Sequence, residues 1–262
     1  MTSEINATTA QSMPQVPFST AGIKPLMQIQ GLVRRFGGLT AVAQATFDVH
    51  PGEIVGLIGP NGAGKTTLFN IISGHMHSDA GRVLFDGHDV TNVKASKCAR
   101  VGIGRTFQIV KPLTTLTVHE NVMVGALLHN THKVASHKAA TIVERVGMGM
   151  LMHRPAGSLT LESRKRLELA RALSVEPKIL LLDEILAGLN TSEVNESLEL
   201  VRGFAKSDGL AVIMIEHILH AVMSLADRIV VLDYGVKIAE GLPETVVRDP
   251  KVIAAYLGSD EE

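Results

Sequence analysis

The sequence has few of the features that mark secreted, membrane-spanning or nucleic-acid-binding proteins. Its single cysteine, Cys98, excludes a disulfide framework within the chain and favours a reducing compartment. The longest apolar runs, at residues 179–182 and 211–215, fall far short of the roughly 20 residues of a membrane-spanning helix. A formal net charge of -1 gives no electrostatic basis for a nucleic-acid partner. We also expect no signal peptide, because no basic segment followed by an apolar block begins the sequence.

The distribution of apolar residues predicts an α/β fold. Residues 1–24 are rich in Ser, Thr, Gln, Ala and Pro and predict a disordered lead-in, which leaves residues 25–262 as one domain. The pattern becomes strand-like from Met27, and residues 118–173 lack strand-like runs and predict an inserted helical subdomain. Runs that are apolar on both faces predict a buried parallel sheet, and they lie at residues 53–58, 178–182, 210–215 and 228–232.

The strongest motif is a full match to G-x-x-x-x-G-K-[ST], between a predicted strand and a helix predicted at 67–73. Its glycines let backbone N–H groups approach phosphate oxygens, and the helix N-terminus adds partial positive charge. Lys65 supplies a cation for the phosphates, and the Thr66 hydroxyl is a Mg²⁺ ligand. The alternative is a glycine-rich turn without function, but such a turn would not explain the predicted strand before the motif or the predicted helix after it. The predicted nucleotide-binding residues are Gly59, Pro60, Asn61, Gly62, Ala63, Gly64, Lys65, Thr66 and Thr67.

Two acids follow the predicted strand at 178–182. Such a strand delivers Asp183 and Glu184 to the carboxyl edge of the sheet, beside the phosphate loop, where Asp183 can hold Mg²⁺. Alternation of side chains along the strand turns Glu184 differently, towards a water that it can deprotonate. Acids at the start of a helix are the alternative, and the upstream phosphate loop favours the catalytic interpretation.

The order of these motifs resembles that of the ABC ATPases over residues 27–258. Within that class the chain is similar to the ATP-binding subunits of importers for branched-chain and other polar amino acids. The resemblance implies a P-loop NTPase core with a parallel sheet, an N-terminal antiparallel β portion and the inserted helical subdomain. The residues that carry it are Phe36-Gly37-Gly38-Leu39-Thr40-Ala41-Val42, Gly104-Arg105-Thr106-Phe107-Gln108, Ala187-Gly188-Leu189-Asn190, Ile215-Glu216-His217 and Ala254-Ala255-Tyr256-Leu257-Gly258.

Positions that match the family imply further site residues. Phe36 matches the aromatic that stacks on adenine, although core packing is the ordinary alternative for a phenylalanine. Gln108 matches the glutamine that contacts Mg²⁺ and senses the membrane partner. His217 matches the histidine at the γ-phosphate, which its place after an apolar strand favours over an ordinary surface or core histidine. With ATP and Mg²⁺ as cofactors, the predicted catalytic residues are Glu184 and His217, and the predicted metal ligands are Thr66, Gln108 and Asp183.

One motif departs from the family. Where ABC ATPases commonly carry Leu-Ser-Gly-Gly-Gln before a helix, here predicted at 165–173, this chain has Leu159-Thr160-Leu161-Glu162-Ser163. The glycines would let N–H groups approach a γ-phosphate, and Glu162 adds charge that repels one. The following cations, Arg164, Lys165 and Arg166, can offset some of that repulsion. In the family this loop completes the site built on the partner's P-loop. We therefore expect an asymmetric heterodimer, and the alternative is a working variant of the loop.

The resemblance implies an ATP-hydrolysing importer subunit, peripheral on the cytoplasmic face of the inner or plasma membrane. Its implied partners are a second, different ATPase subunit, transmembrane permease subunits and, indirectly, a solute-binding protein, with no nucleic acid. Branched-chain amino acids are the suggested solute, while other amino acids, amides and urea stay open. The alternatives are a non-hydrolytic regulatory subunit, against which Glu184 and His217 argue, and a soluble ABC ATPase outside transport.

Overall fold

The computed structural model of the protein describes residues 22–108 and 110–257. The strands in these ranges are β1 (Met27–Phe36), β2 (Leu39–Val49), β3 (Ile54–Ile58), β4 (Ala80–Phe85), β5 (His88–Asp89), β6 (Ile103–Arg105), β7 (Ile179–Asp183), β8 (Ala211–Ile215), β9 (Arg228–Asp233) and β10 (Val236–Gly241). The helices are α1 (Lys65–Ile72), α2 (Ala95–Val101), α3 (Val118–Ala126), α4 (His132–Arg145), α5 (Leu161–Leu173), α6 (Thr191–Asp208), α7 (Leu219–Leu225), α8 (Pro243–Val246) and α9 (Pro250–Leu257), with 3-10 turns at Gly149–Leu151 and Ala156–Ser158.

The central sheet has the strand order β10-β9-β3-β8-β7-β6. The strands from β9 to β6 are parallel, and β10 pairs antiparallel with β9 at one edge. Asp183 pairs with Ile215, so that β7 and β8 end side by side. The strands β2-β1-β4-β5 form a separate antiparallel sheet. The predicted α/β class, parallel core and N-terminal antiparallel portion are therefore confirmed.

Both faces of the central sheet are covered, which explains why its inner strands β3, β7 and β8 are buried along their whole length. Along β7, Leu180 and Leu182 point into the hydrophobic cluster formed with α3 to α7. Ile179 and Leu181 point into the cluster formed with α1 and the antiparallel sheet. The side chains that alternate along β7 are thus divided between two hydrophobic clusters, which hold the strand on both faces.

Helices α3, α4 and α5 lie in the chain between β6 and β7. They begin at Val118 and end at Leu173, so the predicted helical stretch 118–173 is helical in the structure, while the division into domains stays a prediction. Two helices begin earlier than predicted. The helix at 67–73 is α1, which begins at Lys65, and the helix at 165–173 is α5, which begins at Leu161 because Thr160 caps it.

Part of the predicted organisation lies outside the described residues. Of the lead-in at 1–24, residues 1–21 are not described, and Gly258 at the end of the last motif is not described either. Across residues 22–108 and 110–257, no helix is long and apolar enough to cross a membrane.

Gly56 in the middle of β3 allows α7 to pack directly against the strand that leads into the phosphate loop. A Cβ at this position would lie 2.4 Å from Cγ1 of Val222 and 2.7 Å from Cδ1 of Ile229. We expect Gly56→Ala to lower the free energy of unfolding by about 1–3 kcal/mol, the range for overpacking a core. Urea denaturation measures this loss.

Gly203→Ala is the matched control for that substitution. Gly203 lies within α6, and a Cβ there would meet nothing within 4 Å. Removing a glycine from a helix interior should stabilise the protein by roughly 0.5–1 kcal/mol. Equal unfolding midpoints for Gly56→Ala and the parent protein would contradict the packing argument.

Candidate functional site

The glycine-rich motif forms the connection from β3 to α1, and two of its glycines are required by close backbone contacts. A Cβ on Gly59 would lie 2.0 Å from the carbonyl oxygen of Leu232, and one on Gly64 would lie 2.1 Å from that of Ala41. Gly62 has open space around it and a φ of +79°, so glycine is favoured there by backbone conformation alone. The motif therefore fixes a tight loop.

The N-terminus of α1 is open to an anion. Gly64 is its N-cap, no side chain caps it, and no acidic residue lies in its first turn. The N–H groups of that first turn have no partner within the helix, and the helix dipole favours negative charge beside them. Thr66 and Thr67 also lie in this turn, and Thr66 is exposed. The loop and helix together provide the donors that phosphate groups require.

Lys65 lies over the loop that precedes it. Its Nζ donates to the carbonyl oxygens of Gly59, at 2.6 Å, and Pro60, at 2.8 Å. Burial lowers the pKa of Lys65, and the negative charge of Glu184 opposes that effect. This effect of Glu184 agrees with the predicted placement of the end of β7 beside the phosphate loop.

Two predicted site residues, Gln108 and His217, contact the carboxylate of a third, Glu184. Oε2 accepts a hydrogen bond from Nε2 of Gln108 at 2.6 Å, and Oε1 lies 2.8 Å from Nε2 of His217. Gln108 follows β6, Glu184 follows β7 and His217 follows β8, so three adjacent strands deliver them to one edge. The carboxylate is thereby held in one orientation.

The orientation of the Glu184 side chain has a different cause from the one predicted. Glu184 lies beyond the last residue of β7 and has a φ of +50°, the left-handed region that non-glycine residues rarely adopt. Its N–H donates to the carbonyl oxygen of Ile215 at 2.9 Å. Strand alternation is therefore the wrong explanation, because a left-handed turn after the strand aims the side chain.

Asp183 is buried at the end of β7 and forms an ion pair with Arg105, a residue to which the sequence analysis assigned no function. Its Oδ2 accepts a hydrogen bond at 2.9 Å from Arg105, the last residue of β6. The guanidinium of Arg105 also donates to Asn70, at 2.7 Å, and Ser73, at 2.8 Å, and so joins β7 to α1. Burial raises the pKa of Asp183, and Arg105 opposes the rise. The sequence feature that could have pointed to this contact is an arginine at the end of a short buried strand.

The residues present fit a Mg²⁺ ion bound together with phosphates. Oδ1 of Asp183 is buried without a hydrogen-bond partner among the described residues, and it is the kind of oxygen that Mg²⁺ binds. Thr66 and Gln108 offer further oxygen atoms. In the described parts of the chain, no group of three or more His, Cys, Asp and Glu could hold a metal by itself. Phosphate oxygens and water would complete the coordination.

Phe36 ends β1 and is 44% exposed, which excludes the core-packing alternative. The guanidinium of Arg34 lies over its ring, 4.9 Å from the centroid. Stacking of this ring on adenine stays a prediction.

The segment that departs from the family is the beginning of α5, and it was predicted as a loop. Thr160 is the N-cap, and its Oγ1 accepts from the N–H of Ser163 at 3.3 Å. The carboxylate of Glu162 lies 2.8 Å from the guanidinium of Arg166, one turn along the helix. Part of the expected repulsion of a phosphate is therefore offset, whereas the side chain of Leu161 stays 53% exposed on this surface.

Comparison with known proteins agrees with this geometry. The family described as "ABC transporter" matches residues 42–187, and the one described as "Branched-chain amino acid ATP-binding cassette transporter" matches residues 236–262. The chain is 38% identical over 251 residues to the high-affinity branched-chain amino acid transport ATP-binding protein LivG of Escherichia coli, covering 90% of this chain and 98% of LivG. It is 37% identical over 251 residues to the high-affinity branched-chain amino acid transport ATP-binding protein BraF of Pseudomonas aeruginosa, covering 90% of this chain and 98% of BraF.

A solved structure shows the same fold. The ADP conformation of MJ1267, described as an ATP-binding cassette of an ABC transporter, superposes with a TM-score of 0.81 at 32% identity, covering 90% of this chain and 99% of that one. The predicted resemblance and the predicted ATP-binding cassette fold are thus confirmed. With its P-loop, the paired acids of β7 and matches that span nearly the whole chain, the protein belongs to the ATP-binding cassette family of ABC transporters.

Proposed function

We propose that this protein is the ATP-hydrolysing subunit of an ABC importer for amino acids. The observation that carries the proposal is the carboxylate of Glu184, held by Gln108 and His217 at the sheet edge that faces the P-loop. A carboxylate in this position can orient a water molecule and accept its proton while phosphoryl transfer takes place.

The remaining site residues bind and position the nucleotide in this proposal. The N–H groups of the P-loop and Lys65 bind the β- and γ-phosphates, and Phe36 stacks on the adenine. Thr66, Asp183 and Gln108 hold Mg²⁺, which when bound offsets the charge of the phosphates. His217 contacts the γ-phosphate beside Glu184. Catalysis then rests on positioning and charge neutralisation, which dominate phosphoryl transfer.

A complete set of catalytic side chains opposes the alternative of a non-hydrolytic regulatory subunit. Lys65, Asp183 and Glu184 are all present, and Glu184 has both its oxygens in contact with other predicted site residues. A subunit that only binds ATP would need none of these contacts to Glu184.

The solute we propose is a branched-chain amino acid. The C-terminal match at residues 236–262 and the names of LivG and BraF support this choice. Solute selection would belong to a permease and a solute-binding protein, and the permease would hold this subunit on the cytoplasmic face of the membrane. Phe107 and Leu113, between β6 and α3, expose large apolar side chains that a short permease helix could cover.

Replacing Glu184 tests the catalytic part of this proposal. We expect Glu184→Gln to lower ATP turnover by about 10²- to 10⁴-fold, the range for loss of a general base. ATP affinity should change little, because the substitution leaves the P-loop intact. Phosphate release by the complex with the second ATPase subunit, and equilibrium nucleotide binding, measure the two quantities.

Glu176→Gln provides the matched control, because Glu176 is an exposed glutamate that pairs with Lys138 on the surface. Its turnover should equal that of the parent protein. Near-normal turnover of Glu184→Gln would overturn the catalytic assignment.

Uptake by the assembled transporter tests the solute. Proteoliposomes that contain the permease subunits, the second ATPase subunit and the parent chain, with the solute-binding protein added, should take up leucine with ATP, and uptake should be lost with Glu184→Gln. ATP-dependent uptake of urea but not of leucine would overturn the proposed solute.

We propose that the second ATPase subunit is a different chain. Each ATP would lie between one P-loop and the start of the facing α5, and Leu161 and Glu162 replace the glycines that would let N–H groups approach its γ-phosphate. Glu184→Gln alone should therefore bind Mg-ATP as a monomer in light-scattering measurements. The double variant Leu161→Gly/Glu162→Gly in that background should dimerise. A stable ATP-dependent homodimer without the glycine substitutions would contradict the heterodimer.

A further inference from the structure

Residues 184–186, which follow β7, form a turn that hydrogen bonds hold from three directions. The N–H of Glu184 donates to the carbonyl oxygen of Ile215 at the end of β8. The carbonyl oxygen of Glu184 accepts a hydrogen bond from Nζ of Lys165 at 3.1 Å. The N–H of Leu186 donates to Oε1 of Glu216 at 2.8 Å. The first contact pairs backbone with backbone, and the other two come from charged side chains that the proposed chemistry does not use.

Lys165 is a lysine in an unusual place. It lies on α5 with only 8% of its surface exposed, although lysine is almost never buried without a partner. Burial lowers the pKa of Lys165, and the charges of Glu216 and Glu184 oppose that effect. Desolvating an ammonium is costly, so its position calls for an explanation beyond packing.

Glu216 lies between β8 and His217 and is 5% exposed. Burial raises its pKa to about 7, and the N–H of Leu186 and the charge of Lys165 oppose the rise. Lys165 and Glu216 are therefore two buried ionisable side chains whose charges favour each other, and both contact the same turn. Their hydrogen bonds meet it on either side of Ile185.

The conformation of the turn explains why such contacts are needed. Glu184 has a φ of +50°, which brings Cβ close to the carbonyl oxygen and is unfavourable for any residue but glycine. Conformations of this kind persist only where the surroundings enforce them. A relaxed backbone at Glu184 would turn its carboxylate away from Gln108 and His217.

We propose that Lys165 and Glu216 are positioning residues that hold the left-handed turn at Glu184 and so keep its carboxylate between Gln108 and His217. This inference rests on the proposed catalytic function of Glu184. It also connects the inserted helices with the P-loop site of the same chain, because Lys165 lies one turn along α5 from Leu161. A displacement of the start of α5 would pull on the carbonyl oxygen of Glu184.

The first test replaces Lys165. Lys165→Met keeps the length of the side chain and removes the donor, and we expect ATP turnover to fall by about 10- to 100-fold, as for a slightly displaced catalytic group. The KM for ATP should stay within about twofold, because the P-loop is untouched. Lys165→Arg retains donors and should recover most of the lost turnover. Lys138→Met, at an exposed lysine, should leave both constants unchanged.

A double-mutant cycle with Glu184→Gln distinguishes positioning from an independent effect. If Lys165 acts through Glu184, then Lys165→Met should not lower further the residual turnover of Glu184→Gln, because effects within one functional unit are not additive. An equal fold-loss in both backgrounds would overturn the positioning inference. A rise in KM that accounts for the whole loss would overturn it as well.

Glu216→Met keeps the inference testable if Lys165→Met does not fold. It removes the oxygen that accepts from the N–H of Leu186, whereas Glu216→Gln keeps an acceptor there and should retain most of the turnover. For Glu216→Met, the same loss of turnover at constant KM, and the same lack of additivity with Glu184→Gln, are expected. Unchanged turnover of Glu216→Met, with Glu184→Gln inactive, would overturn this inference and leave the proposed function standing. Active Glu184→Gln would overturn the proposed function itself.

Discussion

The site depends on one constraint. The carboxylate of Glu184 lies at the end of a buried strand, β7, but it must point in a direction that the strand conformation does not give. A left-handed residue at position 184 supplies that direction. The parallel register of β7 and β8 supports it, because the end of β8 accepts the N–H of Glu184 and then delivers His217 to the carboxylate. Since β6 lies on the other side of β7, the segment that follows it can deliver Gln108. The sheet order thus determines which side chains meet.

Buried charges beneath the site serve placement more than stability. Arg105 forms a buried ion pair with Asp183, and Lys165 and Glu216 are buried beside the turn at 184–186, where the cost of desolvating a charge can exceed the attraction that it gains. Lys165 donates to the carbonyl oxygen of Glu184, and Glu216 accepts from the N–H of Leu186. Arg105 holds one oxygen of Asp183 and leaves the other free. Hydrophobic residues of similar size could fill the same space, but they could not direct these oxygen atoms.

The sequence predicts those parts of the fold and the site that depend on local patterns. Two-sided apolar runs predicted four of the five parallel strands, because burial on both faces leaves a direct mark on composition. The fifth, β6, is only three residues long and has no such run, so it was not predicted. The P-loop was predicted with its residues, since its spacing is a continuous motif in the sequence, although the contacts that require Gly59 and Gly64 come from distant residues. The positive φ of Glu184 was not predicted, because neighbouring residues give no signal for it. The contacts of Arg105 with Asp183 and of Lys165 with Glu184 were not predicted either. Their partners are distant in sequence, and an isolated cation in a sequence is indistinguishable from a surface residue.

The start of α5 shows which part of the departure from the family matters most. Glu162 adds a negative charge to the segment, but Arg166 neutralises part of it from the next helical turn. What distinguishes this surface is then the bulk of Leu161 and the absence of the two glycines, together with the helical conformation that Thr160 begins. The expected asymmetry between two ATP sites therefore rests on shape and on access to N–H groups more than on charge.

The central claim is that the turn at residue 184 aims its side chain at the attacking water. A crystal structure of the Glu184→Gln protein with Mg-ATP tests it most directly. Our account predicts that residue 184 retains a positive φ, with its carbonyl oxygen bonded to Lys165 and its side chain within hydrogen-bond distance of a water in line with the γ-phosphate. A residue 184 in the ordinary extended or helical region, with its side chain directed away from the phosphate, would contradict it.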